Sequence, residues 1–192
     1  MDMKILRPGD YVVSEKDGAE ITQMAVFPGD SDPGAADYLW MVSCEKRGEA
    51  DCELPLLADY TRWIAPLFGE LELSHEGRER FKMKQYDIHS FDGDVATHFF
   101  SRSSNLCISL RRNFYEDSVV HLDMKKGETQ SFADMDSWNT VLIYCCSGKT
   151  AVGGSTLKTD ELAVISCDAP VLQIEAKKDS ALIVCLLASA AQ

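Results

Sequence analysis

YDIHSFDGDVATHF, residues 86–99, sets two histidines, His89 and His98, around the triplet Asp92-Gly93-Asp94. The stretch reads either as a metal box or as a tight turn between two strands. A calcium loop of the EF-hand type beginning at Asp92 requires a bidentate Glu at its twelfth position and a helix on each side. That position is Ser103, and both flanks read as strands. Asp-Gly between two strands is instead a hairpin signal, because such a turn needs positive φ and glycine adopts it without strain. The stretch is therefore expected to be a hairpin turn, with Gly93 giving the bend and Phe91 entering the core.

The rest of the chain follows the same rhythm. Apolar residues come in short bursts rather than at helical spacing. Turn signals such as PGDSDPG, KRGEAD, HEG, MKKGE, CSGK and CDAP separate them, which is the pattern of an all-β sandwich or barrel. Strands are expected at 21–27, 38–45, 61–68, 71–74, 97–101, 106–111, 118–123, 140–146, 151–152, 163–166, 171–176 and 181–188. One helical stretch is expected around 132–139. A weak internal echo relates WIAPLFGELELSHEG…YDIHSFDGDVATHFF to NTVLIYCCSGKTAVGGSTLKTDELAVISCDAPVLQIEA. Each runs strand, Gly turn, strand, spacer, strand, Asp turn, strand, so one β-module is used twice and the second copy is shorter.

Composition narrows the function classes. The 192 residues are 45% hydrophobic and carry a net charge of −12. That length suffices for one sizeable core or two small barrels. The negative field opposes phosphate backbones and anionic membranes, so neither nucleic acid nor membrane is expected as a partner. The opening MDMKILRPGD lacks the apolar core of a signal peptide, and the apolar run 181–191 is too short to cross a bilayer. A cytoplasmic location is expected. The seven cysteines include no CxxC pair and read as small, reduced core residues. No nucleophile elbow, P-loop or dinucleotide fingerprint occurs.

Strand phase singles out the polar residues that could face an interior. In TRWIAPLF, Arg62 shares a face with Ile64 and Pro66. A guanidinium lining a barrel is costly unless a carboxylate answers it, from a ligand or from the protein. In YLWMVS, Trp40 and Val42 take one face and Met41 and Ser43 the other. In LCISLRR, Cys107 and Ser109 share a face with Arg111. If Ser109 lines the interior, Arg62 and Arg111 form a clamp for a dicarboxylate.

The order of these pieces resembles the HutD/Ves family of histidine-utilisation and stress-induced proteins. The carrying residues are ITQMAVFP (21–28), YLWMVS (38–43), Arg62 of DYTRW, LFGELELSHEG (67–77), FDGD (91–94) and LCISLRR (106–112). The resemblance covers about residues 2 to 187. It implies an all-β bicupin, two jelly-roll barrels in one chain, with a first barrel at 1–115 and a smaller second at 116–192. It also implies a non-catalytic sensor or modulator of histidine breakdown that binds a small acidic metabolite such as formylglutamate. The chain departs from the family at Met41, where the family strand has Arg, and at Cys107-Ile108-Ser109, where it has Asp-x-Asn. The candidate ligand-binding residues are Arg62, Trp40, Ser43, Ser109 and Arg111.

Metal-dependent cupins gather several His and a Glu, commonly with an HxH pair. The four histidines, His75, His89, His98 and His121, contain no HxH. His89, Asp94 and His98 are the least unsuitable ligands, and no cofactor is expected. An isomerase or lyase acting on a small acid or sugar, and a structural or protein-partner role, remain as alternatives. A homodimer is compatible with the sequence.

Overall fold

A computed structural model describes residues 2–16, 18–48 and 50–190. Its described residues form strands, turns and two single-turn 3-10 segments. The strands in chain order are β1 (Asp2–Leu6), β2 (Val12–Lys16), β3 (Ala19–Phe27), β4 (Trp40–Arg47), β5 (Cys52–Leu54), β6 (Tyr60–Phe68) and β7 (Leu71–His75). Next come β8 (Phe81–Met83), β9 (His89–Asp92), β10 (Thr97–Phe99), β11 (Ser104–Arg111), β12 (Tyr115–Met124) and β13 (Thr129–Phe132). The last are β14 (Thr140–Ser147), β15 (Lys149–Val152), β16 (Ser155–Lys158), β17 (Leu162–Ser166), β18 (Leu172–Ala176) and β19 (Ser180–Ser189). Among the described residues no helix is long and apolar enough to cross a membrane.

The chain divides into two compact units. A central unit runs Tyr11–Phe114, and a terminal unit combines the first ten residues with those from Tyr115 onward. The central unit has a six-stranded sheet, β2-β3-β4-β11-β6-β9, and a four-stranded sheet, β5-β10-β7-β8. The terminal unit has a five-stranded sheet, β1-β17-β14-β19-β12, and a four-stranded sheet, β13-β18-β15-β16. Every pairing is antiparallel, and none of the four sheets closes on itself.

Period-2 alternation builds the cores. In β18, Leu172, Ile174 and Ala176 are buried while Gln173 is exposed. They meet Val141 and Ile143 of β14, Leu157 of β16 and Val184 of β19 in one cluster drawn from both sheets of the terminal unit. In the central unit, Ile64 and Cys107 of the large sheet meet Leu54, Leu71, Leu73, Met83 and Phe99 of the small one. Strand β19 is buried continuously over Ser180–Leu187, so both its faces are covered. That explains an apolar run without alternation.

The twelve expected strands are all present, and seven short ones join them: β1, β2, β5, β8, β9, β13 and β16. The expected helix at 132–139 is a correction. Phe132 ends β13, and only Met135–Ser137 turns, as a 3-10 segment. There Met135 is fully buried in the core, and the single turn seats it without an amphipathic helix.

The opening stretch is corrected too. β9 pairs with β6 in the large sheet, whereas β10 pairs with β5 and β7 in the small one. The Asp-Gly turn carries the chain from one sheet to the other and is no hairpin. Gly93 does not adopt the left-handed φ expected of it. Its N–H donates to the Tyr60 carbonyl at 2.7 Å and its own carbonyl accepts from Leu57 N–H at 2.7 Å. A Cβ there would sit 2.2 Å from the Leu57 carbonyl oxygen, so close backbone approach selects glycine.

Candidate functional site

Three neighbouring strands of the large sheet of the central unit set the site. Ser109 on β11 lies opposite Met41 on β4 on one side and Arg62 on β6 on the other. Alternation along β4 then carries Met41, Ser43, Glu45 and Arg47 to the same face. Between this face and the segments at 33–36 and 55–57 is a cavity of about 480 Å³. Arg62, Arg47, Glu45, Ser109, Met41 and Tyr38 all line it.

The charged residues there are buried and mutually arranged. Glu45 answers two guanidinium groups, with Oε1 3.7 Å from Arg62 and Oε2 3.4 Å from Arg47. Arg62 also donates from Nη1 to the Pro55 carbonyl at 2.8 Å, and Arg47 from Nη1 to Cys52 Sγ at 3.8 Å. Each guanidinium sits over an aromatic ring of the core, Arg47 over Phe99 at 5.7 Å and Arg62 over Phe91 at 5.9 Å. Those ring faces replace part of the lost hydration. Arg47 Nε is buried without an acceptor. Burial pushes the Tyr38 phenol up to about 12, partly offset by its hydrogen bond with Ser109, so it stays protonated at neutral pH. The arrangement can receive a small anion, because two buried cations face one carboxylate.

Among the residues picked from sequence, Arg62 and Ser109 line the cavity together. Ser43 shares their face, fully buried, but is not among the cavity-lining residues. Trp40 points to the opposite face and stacks on Phe27, ring centroids 5.8 Å apart. Arg111, although in phase with Ser109, does not reach the cavity. Its register partner is Tyr60, with Arg111 5.8 Å over its ring and the Tyr38 ring centroid 4.7 Å from it. The cavity wall thus pairs Arg62 with Arg47 and not with Arg111.

The three least unsuitable metal ligands do not converge. Asp94 forms a bidentate pair with Arg112 at 3.3 and 3.1 Å, which also lowers its carboxyl below the usual range. His98 bonds to Asp51. His89 bonds to His75, Nε2 to Nε2, at 2.8 Å. Thr97 Oγ1 donates to the Val95 carbonyl at 3.0 Å and so accepts from His75 Nδ1 at 2.9 Å. His75 Nε2 then accepts from His89, which fixes both tautomers. Burial lowers the pKa of both rings, and each leans on Phe91. Among the described residues no group of three or more His, Cys, Asp or Glu could hold a metal ion. None of the seven cysteines forms a disulfide, and burial pushes the Cys145 thiol up to about 12.

The profile of the HutD family matches residues 16–184. The chain belongs to the HutD family. Its fold is similar to that of HutD from Pseudomonas fluorescens SBW25, at 17% identity and a TM-score of 0.83, covering 99% of this chain and all of that one. It is equally similar to PA5104 from Pseudomonas aeruginosa PAO1, a conserved protein of unknown function, at 17% identity and a TM-score of 0.83, covering 98% and 100%. The pirin YhhW from Escherichia coli, solved with nickel(II), follows at 12% identity and a TM-score of 0.73, covering 98% and 100%. No curated protein sequence matches the chain. These likenesses establish a cupin-like all-β fold. Met41 and Ser109 are register partners in the cavity wall.

Sequence reasoning missed Glu45, Arg47 and Tyr38. Glu45 ends the expected strand 38–45 without being singled out, and Arg47 falls in KRGEAD, which reads as a turn. The available signal was phase: extending the Met41, Ser43 alternation by two more steps reaches both. Tyr38 opens the same expected strand in phase with Trp40, so alternation alone turns it away from the Met41 face.

Proposed function

We propose that the chain is a non-catalytic regulatory or sensor protein that binds a small acidic metabolite in the Arg62 cavity. The buried Arg47–Glu45–Arg62 cluster carries this reading, because its surplus positive charge lines a space of ligand size. Kinship with HutD supports a link to histidine or amino-acid catabolism and a bicupin arrangement, each unit acting as one barrel. A formylglutamate-like acid is the ligand the resemblance names. On this reading the protein works in the cytoplasm, as a monomer or homodimer, and away from nucleic acids and membranes.

The test is a thermal-shift panel of histidine, urocanate, formiminoglutamate and formylglutamate on the intact chain. At least one acid is expected to raise Tm in a concentration-dependent way, and Arg62→Ala is expected to remove the shift. Purified protein carrying stoichiometric Fe, Mn, Ni or Zn together with turnover of a small acid or sugar would replace this reading with a cupin enzyme. A protein that no acid stabilises would point to a protein-partner role.

A further inference from the structure

We infer that the cavity selects an acid with one carboxylate and an apolar body over a dicarboxylate of the same length. This rests on the cavity being the ligand site, and it narrows the ligand away from the dicarboxylates that the resemblance names. The first ground is charge. Arg47 and Arg62 are buried in the wall, and Glu45 divides its two oxygens between them, which leaves one positive charge unanswered. Lys16 and Glu15 at the exposed rim have opposite signs and add no net charge. One ligand carboxylate balances the wall, and a second meets only Lys16 at the exposed rim, beside Glu15.

The second ground is the donors. Arg62 donates Nη1 to a carbonyl at 2.8 Å, and its contact with Glu45 is a looser 3.7 Å. Arg47 Nε is buried and has no acceptor. That unmet donor, on a cavity-lining guanidinium, marks the end of the cavity at which the carboxylate is received. The third ground is the remaining lining. Ile21, Met41, Leu56 and Leu57 offer apolar surface to the rest of the ligand. A second carboxylate set against Ile21 and Met41 would lose part of its hydration to apolar contact. The net charge of −12 penalises a dianion further.

The experiment is isothermal titration of the intact protein with hexanoate, adipate and hexanamide at about pH 7.5, where the acids are fully ionised. Hexanoate is expected to bind at least about tenfold tighter than adipate, and hexanamide to give no heat. Met41→Arg adds a cation beside Ser109 and is expected to reverse or erase that preference. Met41→Leu is expected to keep it, which separates charge from loss of fold. Adipate binding as tightly as hexanoate, or tighter, would overturn the inference and leave the ligand-site reading standing. Binding of neither acid, with Arg62→Ala titrating like the parent, would overturn both.

Discussion

Between the two sheets of the terminal unit lie Val141, Ile143, Leu157, Ile174, Leu182 and Val184, all buried. The corresponding face of the central unit presents Ser43, Glu45, Arg47 and Arg62 beside its apolar cluster. Both units stack a four-stranded sheet against a larger antiparallel one. The contrast arises in strand phase. The inward positions of β14 are Val141, Ile143 and Cys145, whereas those of β4 are Met41, Ser43, Glu45 and Arg47. A closed apolar interior serves folding. A polar interior costs desolvation and here keeps about 480 Å³ open, the space in which the proposed ligand would sit.

That contrast can be broken at either end. Removing the carboxylate by Glu45→Ala leaves two buried guanidinium groups uncompensated. It is expected to cost about 3–5 kcal/mol in urea unfolding, the usual loss when one partner of a buried ion pair is deleted. A loss below about 1 kcal/mol would mean that water reaches the cluster and the charges are solvated. In the terminal unit the vulnerability is volume. Leu182 is fully buried, and Leu182→Ala is expected to cost about 2–5 kcal/mol without altering any response to acids. A change in acid binding there would erase the division of labour between the units.

Gly93→Ala sharpens the comparison further. The new methyl would collide with the carbonyls of Leu57 and Tyr60, both backbone atoms beside the cavity wall. A loss of about 1–3 kcal/mol is expected, of the size that overpacking produces. Retained stability would show that the 55–60 segment moves freely.

The smallest effect concerns pH. The His75 and His89 rings have folded pKa values lowered by burial, with His75 also opposing charge on His89. Between the lowered folded values and the unfolded value of about 6.5, the unfolded chain binds more protons. Stability from this pair is therefore complete above about pH 6.5 and falls as pH drops towards the folded values. The urea midpoint is expected to decline modestly from pH 7.5 to pH 5.5, by about the amount two half-exposed rings allow. His89→Gln should flatten that decline, and an unchanged slope would locate the titration elsewhere.

Much of this was legible in the chain. Alternation put Arg62 with Ile64 and Pro66, and Ser109 with Cys107, and the structure keeps both pairings on one inward face. Punctuation by Gly and Asp marked where strands stop. It could not say which sheet each strand joins next, so the Asp92–Asp94 turn read as a hairpin. It also hid Arg47, because a strand that ends in charged residues resembles the loop after it.

The sequence by itself determined the β class, the strand phase and the family, because the two-residue period of side chains is a local property. Only the tertiary structure decided that Arg47 and Glu45 meet Arg62, that Arg111 packs over Tyr60 and does not line the cavity, and that Gly93 is fixed by two neighbouring carbonyls. Those contacts depend on register between segments far apart in the chain, and register is set by packing rather than by any local pattern.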